Sequence, residues 1–186
     1  MQVDPFTGLL DAAQQAHSPN YDERPFGCAI DLVVVHSISL PPGEFGGPWI
    51  DALFANTLDP AAHPYFASIA RLRVSAHLLI RRNGDLLQYV PFHCRAWHAG
   101  ESVYIGRPRC NDFSIGIELE GADSISYDDR QYPVLAAVIR ALWEAYPTIR
   151  PDRLAGHAEI APGRKTDPGP AFDWQRLRRL LEEKTV

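Results

Sequence analysis

The chain is poor in sulfur. Its 186 residues include three cysteines, Cys28, Cys94 and Cys110, and one methionine. No two cysteines form a CxxC pair, and the odd number argues against a framework of paired disulfides. Reduced thiols packed as small apolar groups are expected instead. Excess positive charge is also missing. Eighteen Lys and Arg stand against 23 Asp and Glu, a net charge of −5, which excludes a generally basic surface for nucleic acid. No apolar run approaches the roughly 20 residues of a membrane span. The longest, Ile30 to Val35, is broken by Asp31. The first 25 residues carry neither a basic segment nor an apolar segment of the kind an export signal needs. The expectation is a soluble cytoplasmic protein with no membrane contact. HExxH, P-loop, GxGxxG and GxSxG motifs are all absent. Their absence weighs against zincin proteases, P-loop nucleotide hydrolases, dinucleotide enzymes and α/β-hydrolases.

What is present belongs to a globular chain. Hydrophobic residues make up 46% and charged residues 22%, which argues against disorder, collagen and coiled coil. The length suits one domain. Sixteen Pro and 13 Gly call for many turns and long loops. Leu32 to Val35 reads as a buried strand leading to His36, which shares a face with Leu32 and Val34. Pro41 to Pro48 reads as a loop, followed by a short helix over Trp49 to Asn56. Ser75 to Ile80 and Leu86 to Val90 read as strands of a hairpin, with Asn83-Gly84 as a type I′ turn. The stretch Pro91 to Asn111 is irregular and rich in His, Trp and Arg. Ser114 to Gly121 alternates, with Ile115, Ile117 and Leu119 on one face and Gly116, Glu118 and Glu120 on the other. Gly116 removes bulk beside Glu118. Asp128 is expected to cap an amphipathic helix that buries Leu135, Val138, Ile139, Leu142, Trp143 and Tyr146. Asp173 is expected to cap a last helix carrying Trp174, Leu177, Leu180 and Leu181. Strands and helices mix irregularly, which predicts a single α/β domain with a central mixed β-sheet flanked by helices.

Seven histidines are enough to build a site. A catalytic zinc needs about three protein ligands and an open position for water. His36 at a strand end, His157 after Gly156, and Asp167 in a Pro/Gly loop form one candidate set. His93, Cys94 and His98 form another that is comparable on spacing alone. Glu118 is a carboxylate inside an otherwise apolar strand, costly unless paired or functional, although an exposed face shared with Glu120 would also account for it. Lys165 lies in the same loop as His157 and Asp167.

Six strings, taken together and in order, resemble a known family. They are LVVVHSISLPPGEFGGPWIDALF, LDPAAHPYF, LRVSAHLLIRRNG, RAWHAG, RCNDFSIGIELEG and GHAEIAPGRKTDPGPAFDW. Between about Ser18 and about Leu181 they resemble the 1,6-anhydro-N-acetylmuramyl-L-alanine amidases. Those enzymes belong to the broader type 2 N-acetylmuramoyl-L-alanine amidase and peptidoglycan-recognition fold. The resemblance implies one zinc amidase domain over residues 1–186, with a core at about 18–182 and a site formed by long irregular loops. It implies one Zn²⁺ held by His36, His157 and Asp167. Glu118 is implied as the acidic catalytic residue and Lys165 as the basic residue facing the substrate carbonyl. Trp97, Arg109 and, less directly, Arg73 are implied as sugar and peptide contacts, with His77 supporting the site without binding metal. Where the family usually reads VHNISLPP, this chain has Ser37 in place of Asn, one short hydroxyl where an amide offers a donor and an acceptor.

The activity so implied is hydrolysis of the amide between the lactyl group of 1,6-anhydro-N-acetylmuramic acid and L-alanine. Its substrate is a small anhydromuropeptide recycled from the cell wall, and no obligate protein partner is expected. In a Gram-negative cytoplasm such an enzyme also lowers the muropeptide signal that induces β-lactamase. A peptidoglycan-fragment binding module without catalysis is the alternative, and the same fold hosts such proteins. An amidase of intact wall would be expected to carry an export signal, a wall-binding domain or a basic surface.

Overall fold

A computed structural model describes residues 1–183. The implied domain of 1–186 therefore has its last three positions outside the described residues. In chain order the strands and helices are β1 (Gln14–Gln15), β2 (Tyr21–Glu23), β3 (Leu32–Ile38), α1 (Trp49–Phe54), α2 (Phe66–Ile69), β4 (Leu78–Ile80), β5 (Leu86–Gln88), β6 (Cys94–Ala96), β7 (Val103–Tyr104), β8 (Arg107–Pro108), β9 (Ser114–Glu120), α3 (Gln131–Ala145), β10 (Leu154–Gly156), α4 (His157–Ile160) and α5 (Trp174–Glu182). Six strands form one sheet in the order β1-β5-β4-β9-β3-β10. Only β4 and β5 are antiparallel within it, so the sheet is mixed, as expected. Among the described residues no helix is long and apolar enough to cross a membrane.

The period-two pattern sorts side chains between the two faces. Val33 and Val35 of β3 and Ile115, Ile117 and Leu119 of β9 meet α3 and Leu177 of α5 in one core. Leu32 and Val34 point the other way, to a second core with Cys110, Phe113 and Ile160. His36 continues that second face. β3 and β9 run parallel with His36 opposite Glu118, so the two polar side chains emerge on the same side of the sheet. Both strands are covered on both faces, which is why they read as nearly continuous apolar runs.

Both long helices form, but Asp128 is not the cap expected of it: α3 begins at Gln131 with Arg130 in the N-cap position and no side-chain cap. The Asp128 carboxylate accepts the Arg130 N–H at 3.0 Å just ahead of α3, and the Asp173 carboxylate accepts the Arg176 N–H at 2.8 Å. The hairpin turn differs from the expected type I′ form. Arg81 donates to the Asp85 carbonyl and Gly84 donates to the Arg81 carbonyl, and in this turn only Gly84 has a positive φ. It is a three-residue loop with a type I turn followed by a left-handed glycine. The Asn83 side chain accepts the Asp85 N–H, a local bond that needs no left-handed asparagine. Strands β1, β2, β6, β7, β8 and β10 were not anticipated, because two- and three-residue ladders leave too short a pattern to read. The cysteines are free, Cys110 buried and the other two half-buried.

Gln131, fully buried at the start of α3, ties that helix to the sheet. Its amide donates to the carbonyls of Ile80 and Glu120, and its carbonyl accepts the Asp128 N–H. Gln131→Leu strands all three groups. Urea denaturation of that variant is expected to show a loss of about 2–4 kcal/mol, the scale of buried polar groups left without partners.

Candidate active site

The parallel pairing of β10 with β3 sets Gly156 beside Val35. The next residue in each segment is a histidine: His157 directly follows β10, while His36 lies within β3, two residues before its end at Ile38 and not at the strand end expected, so the two meet near the carboxyl ends of neighbouring strands. Open α/β sheets bind ligands at such ends. Asp167 arrives from the following loop. The Asp167 carbonyl accepts the Ala158 N–H, and Ala171 donates to the Asp123 carbonyl. Tyr127 donates to the Pro168 carbonyl at 2.7 Å. Gly169, at φ 76°, lies so close to Asp123 that a Cβ would stand 2.3 Å from its Cα. Only glycine lets the loop close down there and hold Asp167 in place.

The Nδ1 atoms of His36 and His157 are 2.9 Å apart. Asp167 Oδ2 is 3.2 Å from the first and 3.1 Å from the second. Both histidines are buried. His157 Nε2 faces the Ala99 carbonyl at 3.2 Å, an acceptor only, so Nε2 donates to it and Nδ1 is the nitrogen turned to the cluster. Burial, aided by the neighbouring His157 and Lys165, pushes His36 down to about 4 despite the pull of Asp167, so near pH 7 it is neutral. Neutral imidazole and carboxylate are the ligand forms for a cation. Protons alone do not satisfy three acceptor atoms so close together, and one small cation does. Two ligand atoms about 2.0–2.1 Å from a tetrahedral ion stand roughly 3.3 Å apart, close to what is seen. Among the described residues this is the one such group of His, Cys, Asp and Glu. The rival set is not assembled: His93 is exposed and takes no part, whereas His98 lies behind His36.

An open cavity of about 590 Å³ adjoins the triad, and Glu118, Lys165, Trp97 and Ser37 help to line it. Glu118 is buried, and its Oε2 has no hydrogen-bond partner. Burial raises its carboxyl well above the usual range, the Asp167 charge adds to that, and Lys165 opposes it. A buried carboxyl with an unmatched oxygen beside a cation site is costly to maintain as structure alone. It is the form a proton carrier takes.

Residues 26–170 match the family described as N-acetylmuramoyl-L-alanine amidase. The chain belongs to this family. Over 179 residues it is 64% identical to the 1,6-anhydro-N-acetylmuramyl-L-alanine amidase AmpD of Escherichia coli (strain K12), covering 96% of this chain and 97% of the relative. Its fold matches the crystal structure of an Se-Met AmpD derivative with a TM-score of 0.94 and 63% identity, over 97% of this chain and 99% of the other. It also matches AmiD of E. coli in complex with anhydro-N-acetylmuramic acid-L-Ala-D-gamma-Glu-L-Lys, with a TM-score of 0.59 and 30% identity over 85% of this chain and 60% of that one. The protein is an amide hydrolase with the α/β fold of those structures.

The amidase places its remaining candidate residues unequally. The Trp97 indole donates to Asp22 Oδ1 at 3.1 Å, which aims the ring at the cavity. Arg109 does not line the cavity; it is largely exposed and paired with Asp112 at 2.7 Å. Arg73 is likewise exposed and outside the lining, with Nη1 donating to the Leu72 carbonyl. His77 is buried away from the triad. Its Nδ1 accepts the Gly116 N–H, and its Nε2 faces the Cys94 carbonyl. The space cleared by Gly116 is not left open beside Glu118. It is filled by the His98 ring, whose Cγ would lie 2.4 Å from a Cβ at that position.

Sequence reasoning missed what two residues do, although one is named in the rival metal set. One is His98. The other is Glu120, two positions beyond Glu118 on the same face. Its carboxylate accepts from Gly46 N–H at 2.7 Å, Arg82 N–H at 3.1 Å and Arg81 Nη1 at 3.0 Å. Those bonds pin the glycine-rich loop that includes the cavity-lining Pro42 and Gly43. Glycine inside a strand is a known mark of close approach, so Gly116 was the available signal for His98. Glu120 carried none, since two of its three donors are backbone groups. Glu120→Ala would leave the buried Arg81 guanidinium with only Asp51 as its acid partner. A loss of about 3 kcal/mol in chemical denaturation is expected, as for a broken buried pair.

Proposed function

We propose that this amidase is zinc-dependent and cleaves the amide joining the lactyl group of 1,6-anhydro-N-acetylmuramic acid to L-alanine in recycled muropeptides. The observation that carries the reading is Glu118: a buried, unpartnered Oε2 in the cavity that the His36, His157 and Asp167 cluster borders. The names of the relatives support the anhydro substrate. The proposal covers one catalytic domain, residues 1–186 with a core at about 18–182, working in the cytoplasm, where removing the substrate would also quiet the signal that induces β-lactamase.

His36, His157 and Asp167 would hold the zinc. When bound, the ion supplies Lewis acidity and lowers the pKa of a water towards about 7. Glu118 Oε2 takes the proton from the attacking water as the new C–O bond forms. The Lys165 ammonium donates to the carbonyl oxygen as that oxygen becomes negative. When the C–N bond breaks, Glu118 returns its proton to the departing alanine nitrogen. The Trp97 ring offers an apolar face to the sugar. Ser37, on the cavity wall, offers its hydroxyl where the family's amide would stand. Arg109 and Arg73, outside the cavity, are assigned to carboxylates of a peptide stem long enough to leave it.

Glu118→Gln is expected to keep one zinc per chain and to lose at least about 100-fold in kcat. Full activity with full zinc would remove Glu118 from the mechanism. Lys165→Ala is expected to lower kcat by about 100- to 1000-fold, the cost of one oxyanion donor. Asp167→Ala is expected to lose its zinc, by elemental analysis. The assay of first importance compares anhydromuropeptide with its reducing-end counterpart. Turnover confined to the anhydro form and abolished by chelation is the expected result. Binding of both without turnover would make the protein a fragment-binding module.

A further inference from the structure

The Cys110 carbonyl can only accept a hydrogen bond, and Ser114 Oγ lies 2.6 Å from it. The serine hydroxyl must therefore donate to that carbonyl. Its lone pair then faces His98 Nε2 at 3.2 Å, so Nε2 of His98 carries the ring proton. His98 Nδ1, left as an acceptor, stands 2.9 Å from His36 Nε2. His36 answers with an N–H at Nε2, and its Nδ1, on the side of His157 and Asp167, is bare. The direction of every bond follows from one backbone carbonyl.

We infer that Cys110 C=O, Ser114 and His98 form a relay that fixes the proton of His36 on Nε2 and so commits His36 Nδ1 to the metal. The inference rests on the ligand set proposed above. His98 acts through His36 and touches no substrate; it is a positioning residue. Two further features show that the relay is held in place. The Asn111 side-chain carbonyl accepts both the His98 and Ala99 N–H groups, at 3.1 and 2.7 Å. Gly116 leaves the ring its room. His157 needs no relay, because the Ala99 carbonyl faces its Nε2 directly.

Two substitutions at one position separate positioning from packing. His98→Phe keeps a ring and removes the acceptor. His98→Asn loses the ring and keeps an oxygen near the place of Nδ1. Zinc affinity is measured by competition with a chromophoric chelator, with circular dichroism and the melting of the metal-free protein as controls. Loss of an outer partner typically costs about 10- to 100-fold in metal affinity, and that loss is expected for His98→Phe. His98→Asn should recover most of it. Ser114→Ala, the smallest change, should weaken zinc by about tenfold relative to its own metal-free fold, whose melt also registers the lost bond to the Cys110 carbonyl. Wild-type affinity in both His98→Phe and Ser114→Ala overturns the relay, as does His98→Asn binding more weakly than His98→Phe. A wild-type protein that takes up no zinc overturns the ligand set itself.

Discussion

Two imidazole nitrogens and a carboxylate oxygen are held within 3.2 Å of one another, and much of the structure serves to keep them there. Left in water, these groups would separate and hydrate. Here the ends of β3 and β10 bring two of them out side by side, and a loop tied by Tyr127 and Asp123 brings the third. Burial keeps His36 neutral. The cost of assembling such a group is met by covalent continuity with a sheet buried on both faces for the two histidines, and by the backbone bonds that tie down the loop for Asp167.

Strand β9 shows how closely the tasks are packed. Its helix-facing side is Ile115, Ile117 and Leu119, three apolar residues in the main core. Its other side is Gly116, Glu118 and Glu120, and each does something different. Gly116 gives up its side chain to His98. Glu118 keeps an unmatched oxygen. Glu120, with the same functional group and two residues away, is fully engaged and holds a loop. What separates the two carboxylates is the donors the fold supplies, three to one and none to the other oxygen.

Legibility in the sequence followed the range of each interaction. The α/β class, the faces of β3 and β9 and the cap at Asp173 are local patterns with a period or a fixed offset, and they were readable. The ligand triad was not readable from spacing, since His36 and His157 are 121 positions apart and a second histidine set looked as good. Only the resemblance of the surrounding strings to a family singled out this set, whose three residues the structure brings together. The roles of Glu120, Gln131 and Arg24 stayed hidden for a common reason. Arg24, for example, donates to the carbonyls of Phe92, Asn111, Asp112 and Ser114. Backbone N–H and C=O groups have no residue identity, so a side chain that binds them leaves no partner to be noticed in the sequence.

The 121-residue separation of the two histidines has a thermodynamic side. An ion held between them and Asp167 acts as a cross-link closing a very long loop, much as a disulfide does in chains with paired cysteines. Closing a loop of that length restricts the unfolded chain strongly, and any ligand that binds only the folded form adds its binding free energy to stability. A chain with no disulfide would thus draw part of its mechanical integrity from the ion proposed for its chemistry. Scarcity of the metal would then remove activity and loosen the β3–β10 seam in the same event, exposing the unassembled protein to proteolysis rather than leaving an intact, idle enzyme.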